Sequence, residues 1–320
     1  MTDSNQNEQP LAVIAIGGNS LIKDPEHMSV LDQYRNAGET AHHIASIINE
    51  GYRVVVTHGN GPQVGFVLLR SELAKDTLHQ VPLANCVADT QGSIGMQIAQ
   101  SLQNAFLQQD REQPVVAIVT QVIVDHDDPG FANPTKPIGP FMSEDEAKQH
   151  AEEDGWSVVE DANRGWRRVV PSPKPLEIVE LQAIRTLLDN GTLVVAAGGG
   201  GIAVIHKSDG TLRPRPAVID KDAASCLLAR ELGASVLIFS TDVDKASLNF
   251  GTPEQVGLDR ISSTECRQYL DEGHFAVGSM RPKIEAALEF LDSGGEEVII
   301  TQPHHLHGAL KGIQGTHIVP

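Results

Sequence analysis

The chain alternates short apolar runs with longer amphipathic ones, and three of the apolar runs stop abruptly at glycine. Gly17-Gly18-Asn19 follows residues 11–16, His58-Gly59-Asn60-Gly61 follows residues 53–57, and Gly198 to Gly201 follow residues 193–197. A buried strand that ends in bare backbone can hold an anion. Glycine admits unusual dihedrals, lets amide N–H groups approach a ligand with no Cβ in the way, and can lead into a helix whose positive end adds attraction. Three such turns in one acidic protein point to a polyphosphate.

Hydrophobic periodicity predicts strands at 11–16, 54–57, 115–124, 193–197, 236–240 and 297–301. It predicts helices at 37–49, 64–73, 88–107 and 176–188, and further helices from Asp220 and from Ser279. Strands separated by helices of this length give a mainly parallel sheet covered on both faces, an α/β fold. From Asp125 to Pro171 the alternation breaks into a stretch rich in proline, glycine and charge. Ser143 and Glu146 there form the sequence signature of a capping box, and strand-like runs lie around 156–159 and 167–170. A stretch this long is not a structureless loop, so residues 125–172 read as a small inserted subdomain within a single domain spanning 1–320. Ligands of open parallel sheets sit at the carboxyl ends of strands, so the three turns should converge.

Charge narrows the function. Forty-two acidic against 24 basic residues leave a formal net charge of −18, which argues against general nucleic-acid or anionic-membrane binding, since both need basic surface. A phosphate-binding protein with this balance must concentrate its few lysines. Cys86, Cys226 and Cys266 show no CxxC spacing and read as buried thiols. No apolar stretch reaches membrane length and no signal peptide is evident, so the expected location is the cytoplasm. No lysine follows a glycine, which excludes the P-loop class. Residues 198–203 formally satisfy G-x-G-x-x-A, but they run into Val204-Ile205-His206, which reads as strand rather than helix and weakens a dinucleotide reading.

Several blocks together resemble carbamate kinase of the amino-acid-kinase superfamily. They are Ile16-Gly17-Gly18-Asn19, residues 57–65 (Thr-His-Gly-Asn-Gly-Pro-Gln-Val-Gly), residues 133–140 around Lys136, residues 168–175, Val218-Ile219-Asp220-Lys221-Asp222, and Gly278-Ser279-Met280 with Pro282-Lys283. The match runs in order from about Leu11 to Val319. The resemblance implies an open three-layer α/β/α sandwich with a mainly parallel central sheet, a small protruding subdomain over the substrate, and a homodimer. It also implies reversible transfer between ATP and carbamate with Mg2+, used to make ATP from carbamoyl phosphate in arginine or purine catabolism. Four positions depart from the family's pattern: Arg281, Ala203, Asn163 and Asp89.

The chemistry asked of these residues follows from phosphoryl transfer, which is mostly positioning and charge neutralisation. Carbamate is already an anion, so an oxygen can attack without a general base; lysines, amides and magnesium are needed rather than a Ser-His-Asp arrangement. Lys221, at a helix start, is assigned to the transferring phosphoryl group with Asp220 holding it in place. Lys283, behind a capped helix start at Ser279, suits nucleotide phosphates. By analogy Lys136 contacts carbamate and the moving phosphoryl group when the insert closes. Gly17, Gly18 and Asn19 would offer amides to that group, and Gly59, Asn60 and Gly61 would hold carbamate. Gly199, Gly200, Thr241, Asp242 and Met280 fall to the nucleotide side. Each also has an ordinary reading, as tight turns, helix caps, solvated lysines or ion pairs, and for Gly198 to Gly201 as a close chain crossing. His58 reads as structural, and His304-His305-x-His307 as a helix start after Pro303, so no metal ligands are assigned. Two other functions stay open: a kinase for another small carboxylate or a nucleoside monophosphate, which needs an arginine clamp, and a nonenzymatic nucleotide binder, which would have lost a catalytic lysine.

Overall fold

Six consecutive apolar residues at 11–16 are all buried, so this strand must be covered on both faces, and the fold is built around that requirement. The computed structural model describes residues 9–17, 21, 26–161 and 165–320; Gly18, Asn19 and Asn163 lie outside the described residues. The first half contains β1 (Leu11–Ile16), α1 (Val30–Asn49), β2 (Arg53–His58), α2 (Gly61–Leu73), α3 (Leu83–Leu107), β3 (Val115–Ala117) and β4 (Gln121–Val124). The insert follows with β5 (Lys136–Met142), α4 (Glu144–Glu153), β6 (Ser157–Glu160) and β7 (Trp166–Val170). Then come β8 (Pro175–Ile178), α5 (Leu181–Asp189), β9 (Leu193–Val195), β10 (Ile202–His206), β11 (Leu212–Pro214), α6 (Lys221–Leu232) and β12 (Val236–Ser240). The chain ends through β13 (Ser247–Leu248), β14 (Val256–Gly257), β15 (Arg260–Ser262), α7 (Ser263–Asp271), α8 (Met280–Asp292), β16 (Glu297–Thr301), α9 (Leu306–Leu310) and β17 (Thr316–Val319).

The main sheet runs β15-β17-β16-β12-β1-β2-β9-β3, parallel throughout its centre, with β17 antiparallel to β16. Side chains alternate across it. Leu11, Val13 and Ala15 of β1 pack with α5, α6, α7 and α8, whereas Ile14 and Ile16 pack with α1, α3 and α9. That division gives the three α/β/α layers. Ile16, His58, Ser240 and Thr301 are register partners across β2, β1, β12 and β16, so the turns that follow these strands share one edge.

Three elements differ from the periodicity. The run 115–124 is two strands, because Gln91 interrupts the ladder at Thr120: its Oε1 accepts from the Thr120 amide at 2.7 Å and its Nε2 donates to the Thr120 carbonyl at 3.1 Å. Beyond that point β4 joins a second sheet, β11-β10-β4-β8. The expected helix at 176–188 begins only at Leu181; β8 pairs with β4, and Glu180 accepts from the backbone and side-chain amides of Gln121 at 2.7 and 2.9 Å. Helix α1 starts at Val30 rather than 37, since Ser29 and Asp32 form a capping box.

The insert is a three-stranded antiparallel sheet, β5-β7-β6, with α4 capped by the Ser143–Glu146 box. Asp128 ties its two stems together, accepting from the Gly130 amide at 2.7 Å and the Lys174 amide at 2.9 Å. The insert lies on α2 at one very close crossing: a Cβ added to Gly65 would stand 2.0 Å from Cα of Gly139, where φ is +73°. Only paired glycines allow the two backbones to pass at that distance. Among the described residues, no helix is long and apolar enough to cross a membrane.

Candidate active site

Asp220 caps α6. Its Oδ1 accepts from the amides of Asp222 at 2.8 Å and Ala223 at 3.2 Å, while Oδ2 lies 2.5 Å from Nζ of Lys136, brought in by β5 of the insert. Asp222, 4% exposed, receives the other two lysines: Lys221 Nζ at Oδ1 and Lys283 Nζ at Oδ2, the latter at 3.2 Å. Lys283 also donates to the Ser279 carbonyl at 3.1 Å, one turn back on α8. Two carboxylates in one helix N-terminal turn thus hold three ammonium groups from three separate parts of the chain. The helix dipole favours the two anions there, and the five groups leave one net positive charge for a ligand.

The cluster corrects one expectation. Asp222, not Asp220, is the hydrogen-bonding partner of Lys221, because the Asp220 carboxylate is already committed to the helix amides and to Lys136. The ionisation balance follows the same division. For Lys136, burial disfavours the charge, but the adjacent Asp220 carboxylate outweighs it and raises the ammonium above its ordinary value. Burial also opposes the Asp220 charge, yet Lys136, with Lys221 behind it, holds that carboxyl well below the usual range. At Lys221 burial prevails: with Lys283 alongside, the ammonium is pulled below its ordinary value despite Asp222 and Asp220. A buried cation in that position would be stabilised by a further anion.

The tetraglycine turn fits the second glycine turn to this cluster. Ala197 is left-handed at φ +49°, and its amide donates to Thr120 Oγ1 at 2.9 Å. An added Cβ would meet His58 Nε2 at 2.3 Å from Gly198, Asn60 Nδ2 at 2.1 Å from Gly199, the Ile219 carbonyl at 2.4 Å from Gly200, and Val122 at 2.4 Å from Gly201. The turn is therefore a wedge between the His58–Asn60 turn and the residues leading into Asp220. Gly199 and Gly200 are both buried and face Asn60 and Ile219, a close crossing of chain segments beside the cluster. Asn60 precedes α2, is 2% exposed, and donates from Nδ2 to Thr90 Oγ1 at 2.8 Å. Gln91, Thr90 and Thr120, which hold these turns, carried no motif signal in the sequence.

Other expected residues sit as follows. The amides of Gly17 and Gly59 donate to the carbonyls of Ser240 and Ile16, both at 2.9 Å, so sheet pairing already engages them. Gly61 opens α2. Thr241 follows β12, its amide on the Thr301 carbonyl at 2.9 Å, and the Asp242 carbonyl accepts from Gln302 Nε2 at 2.5 Å. Met280 opens α8 half-buried against the core; Ser279 before it makes no side-chain cap, contrary to the expected capped start. Arg281 pairs with Glu285 at 2.8 Å in exposed positions, which takes it away from the cluster. His58 is fully buried, and burial pulls its imidazole down to about 4; Nδ1 lies 3.0 Å from the Gly59 carbonyl. His305 and His307 are engaged by Asp244 and Glu50 at 2.5 and 2.8 Å.

A mainly parallel α/β/α sheet with lysines gathered at one helix start defines a phosphate-handling fold, and the chain belongs to the amino acid kinase family, whose model matches residues 10–302. Its relatives include carbamate kinases. It is 50% identical over 313 residues to carbamate kinase-like protein YahI of Escherichia coli (strain K12), covering 97% of this chain and 98% of that one. It is 46% identical over 310 residues to carbamate kinase of Pyrococcus furiosus, covering 96% and 98%. Among solved structures, carbamate kinase from Giardia lamblia bound to AMP-PNP superposes with a TM-score of 0.89 at 42% identity, covering 97% and 98%.

Proposed function

We propose that this chain is a carbamate kinase, transferring a phosphoryl group reversibly between ATP and carbamate to give ADP and carbamoyl phosphate. The observation that carries the reading is the convergence of Lys136, Lys221 and Lys283 on Asp220 and Asp222, beside the Asn60 turn. A carbamate oxygen attacks the γ-phosphorus, the bond to the β,γ-bridging oxygen breaks, and ADP leaves with that electron pair. Lys221 neutralises charge on the transferring group, and Lys283 with Met280 at the start of α8 meets the nucleotide phosphates. Gly59, Asn60 and Gly61 hold carbamate; Gly17, with Gly18 and Asn19, which lie outside the described residues, is assigned to the moving phosphoryl group by the family resemblance. Gly199 and Gly200 shape that acceptor turn. Thr241 and Asp242 flank the nucleotide.

Lys136 reaches the reacting centre from the insert, which acts as a lid. Its pairing with Asp220 holds the ammonium ready, and substrate oxygens exchange for that carboxylate when the lid seats. Magnesium fits as a companion of the nucleotide. Asp220 and Asp222 hold ammonium groups, so magnesium would enter with the nucleotide, held by phosphate oxygens and water. When bound, it neutralises phosphate charge. The reading includes a cytoplasmic homodimer: among the described residues β3 leaves the main sheet with an open edge, and Met96 and Val119 stand exposed. An acceptor panel of carbamate, acetylglutamate, aspartate, glutamate and UMP tests it. Phosphorylation of carbamate alone is expected, and preference for any other acceptor overturns the assignment.

A further inference from the structure

Helix α2 begins at the acceptor turn, and two charged residues, one in its last turn and one just beyond it, reach across to the insert. Glu72 Oε1 accepts from Nη1 of Arg168 on β7 at 2.6 Å, and Lys75 Nζ lies 3.8 Å from Asp154, which follows α4. Both side chains of the first pair are about three-quarters buried. A stack joins the two pairs: the Arg168 guanidinium lies 4.3 Å over Trp156, His150 is stacked on the same ring at 4.1 Å, and His150 Nδ1 is 2.7 Å from Asp154. Space rather than packing surrounds this contact, since cavities of ≈ 200 and ≈ 590 Å³ both border Glu72, Trp156 and Arg168. Arg168 is the ladder partner of Ile138, and Val170 that of Lys136, so a displacement at Arg168 is carried along the β-ladder to the lysine.

We propose that Glu72 and Arg168 are positioning residues, a latch between the acceptor helix and the insert that sets the Lys136 ammonium over the reacting centre. The proposal rests on the phosphoryl-transfer reading for the role of Lys136. The pair touches neither lysine cluster nor acceptor turn; it acts through the strand ladder, while the Gly65–Gly139 crossing provides the pivot.

The test uses Glu72→Gln, Arg168→Gln and the double variant in a Trp166→Phe background, which leaves Trp156 as the only tryptophan. Each single variant is expected to lower kcat for ATP formation from carbamoyl phosphate about tenfold, with KM for ADP within about twofold. Acrylamide quenching of Trp156 should rise, and the double variant should cost no more than either single one, as for two residues acting as one unit. An unchanged kcat, a change confined to KM, unchanged Trp156 quenching, or losses that multiply in the double variant each overturn the latch. If the parent enzyme forms no ATP, the transfer reading fails, and quenching alone still decides whether Glu72 and Arg168 hold the insert.

Discussion

Gly65→Ala should cripple the enzyme by a single methyl group. In the folded chain the new Cβ would stand 2.0 Å from Cα of Gly139 and 2.2 Å from its amide nitrogen, with no flexible side chain there to yield. Carbon atoms rest about 3.5 to 4.0 Å apart, so β5 must withdraw from α2 by roughly 1.5 to 2 Å. Lys136 begins that strand, three residues before Gly139, and moves with it. A misplacement of about 1 Å at a reacting centre costs on the order of a hundredfold, so kcat should fall at least that far, a barrier increase of about 3 kcal/mol. Stability should change less, because alanine is favoured over glycine in a helix interior by about 1 kcal/mol and offsets part of the clash. The assay is the initial rate of ATP formation from carbamoyl phosphate and ADP, with thermal melting alongside. A variant that keeps its rate within about threefold would refute the claim that the glycine crossing sets the lysine's position.

Three further outcomes follow. Lys221→Ala should lower kcat by orders of magnitude, about 3 kcal/mol or more of lost electrostatic stabilisation, in a protein that still folds; near-normal turnover sinks its assigned role. Asp222→Asn leaves the ammonium groups of Lys221 and Lys283 without their shared buried anion and should cost about 3 to 5 kcal/mol in denaturant unfolding; unchanged stability would show that Asp222 does not hold them. His58 has a folded pKa of about 4 against an ordinary 6.5, so the unfolded chain takes up its proton first as pH falls. Its contribution, at most about 3 kcal/mol, is complete above pH 6.5 and drains away between 6.5 and 4; His58→Gln should flatten the stability profile in that window, and an identical slope would contradict the burial argument.

What the sequence made legible follows signal strength. The strands 11–16, 236–240 and 297–301 are visible to the residue because each is built on a continuous apolar stretch of three to six residues bounded by polar residues, proline or glycine. β3 and β4 merged in the periodicity, since what separates them is a hydrogen bond from Gln91, distant in sequence. The edge strand β15 and its neighbour β17 were missed because they are short and carry polar residues. At the site the three lysines were singled out by the resemblance to carbamate kinase, Lys136 by that alone, since a lysine among prolines or between aspartates reads by itself as a solvated charge or an ion pair. Which aspartate serves which lysine was not legible: Asp220-Lys221-Asp222 offers two adjacent carboxylates, and the choice is made by Lys136 and Lys283 arriving from elsewhere in the chain. The four glycines at 198–201 read as room either for nucleotide phosphates or for a close chain crossing, whereas the neighbours that make the crossing, His58, Asn60, Val122 and Ile219, appear only in three dimensions.

The central claim, that this lysine cluster moves a phosphoryl group between carbamoyl phosphate and ADP, is tested most directly by phosphorus NMR of the purified protein with both compounds and Mg2+. The carbamoyl phosphate resonance should decline as the γ-phosphate of ATP grows in step, and both changes should slow by orders of magnitude in Lys221→Ala. Loss of carbamoyl phosphate to inorganic phosphate alone, with no ATP formed, would contradict it.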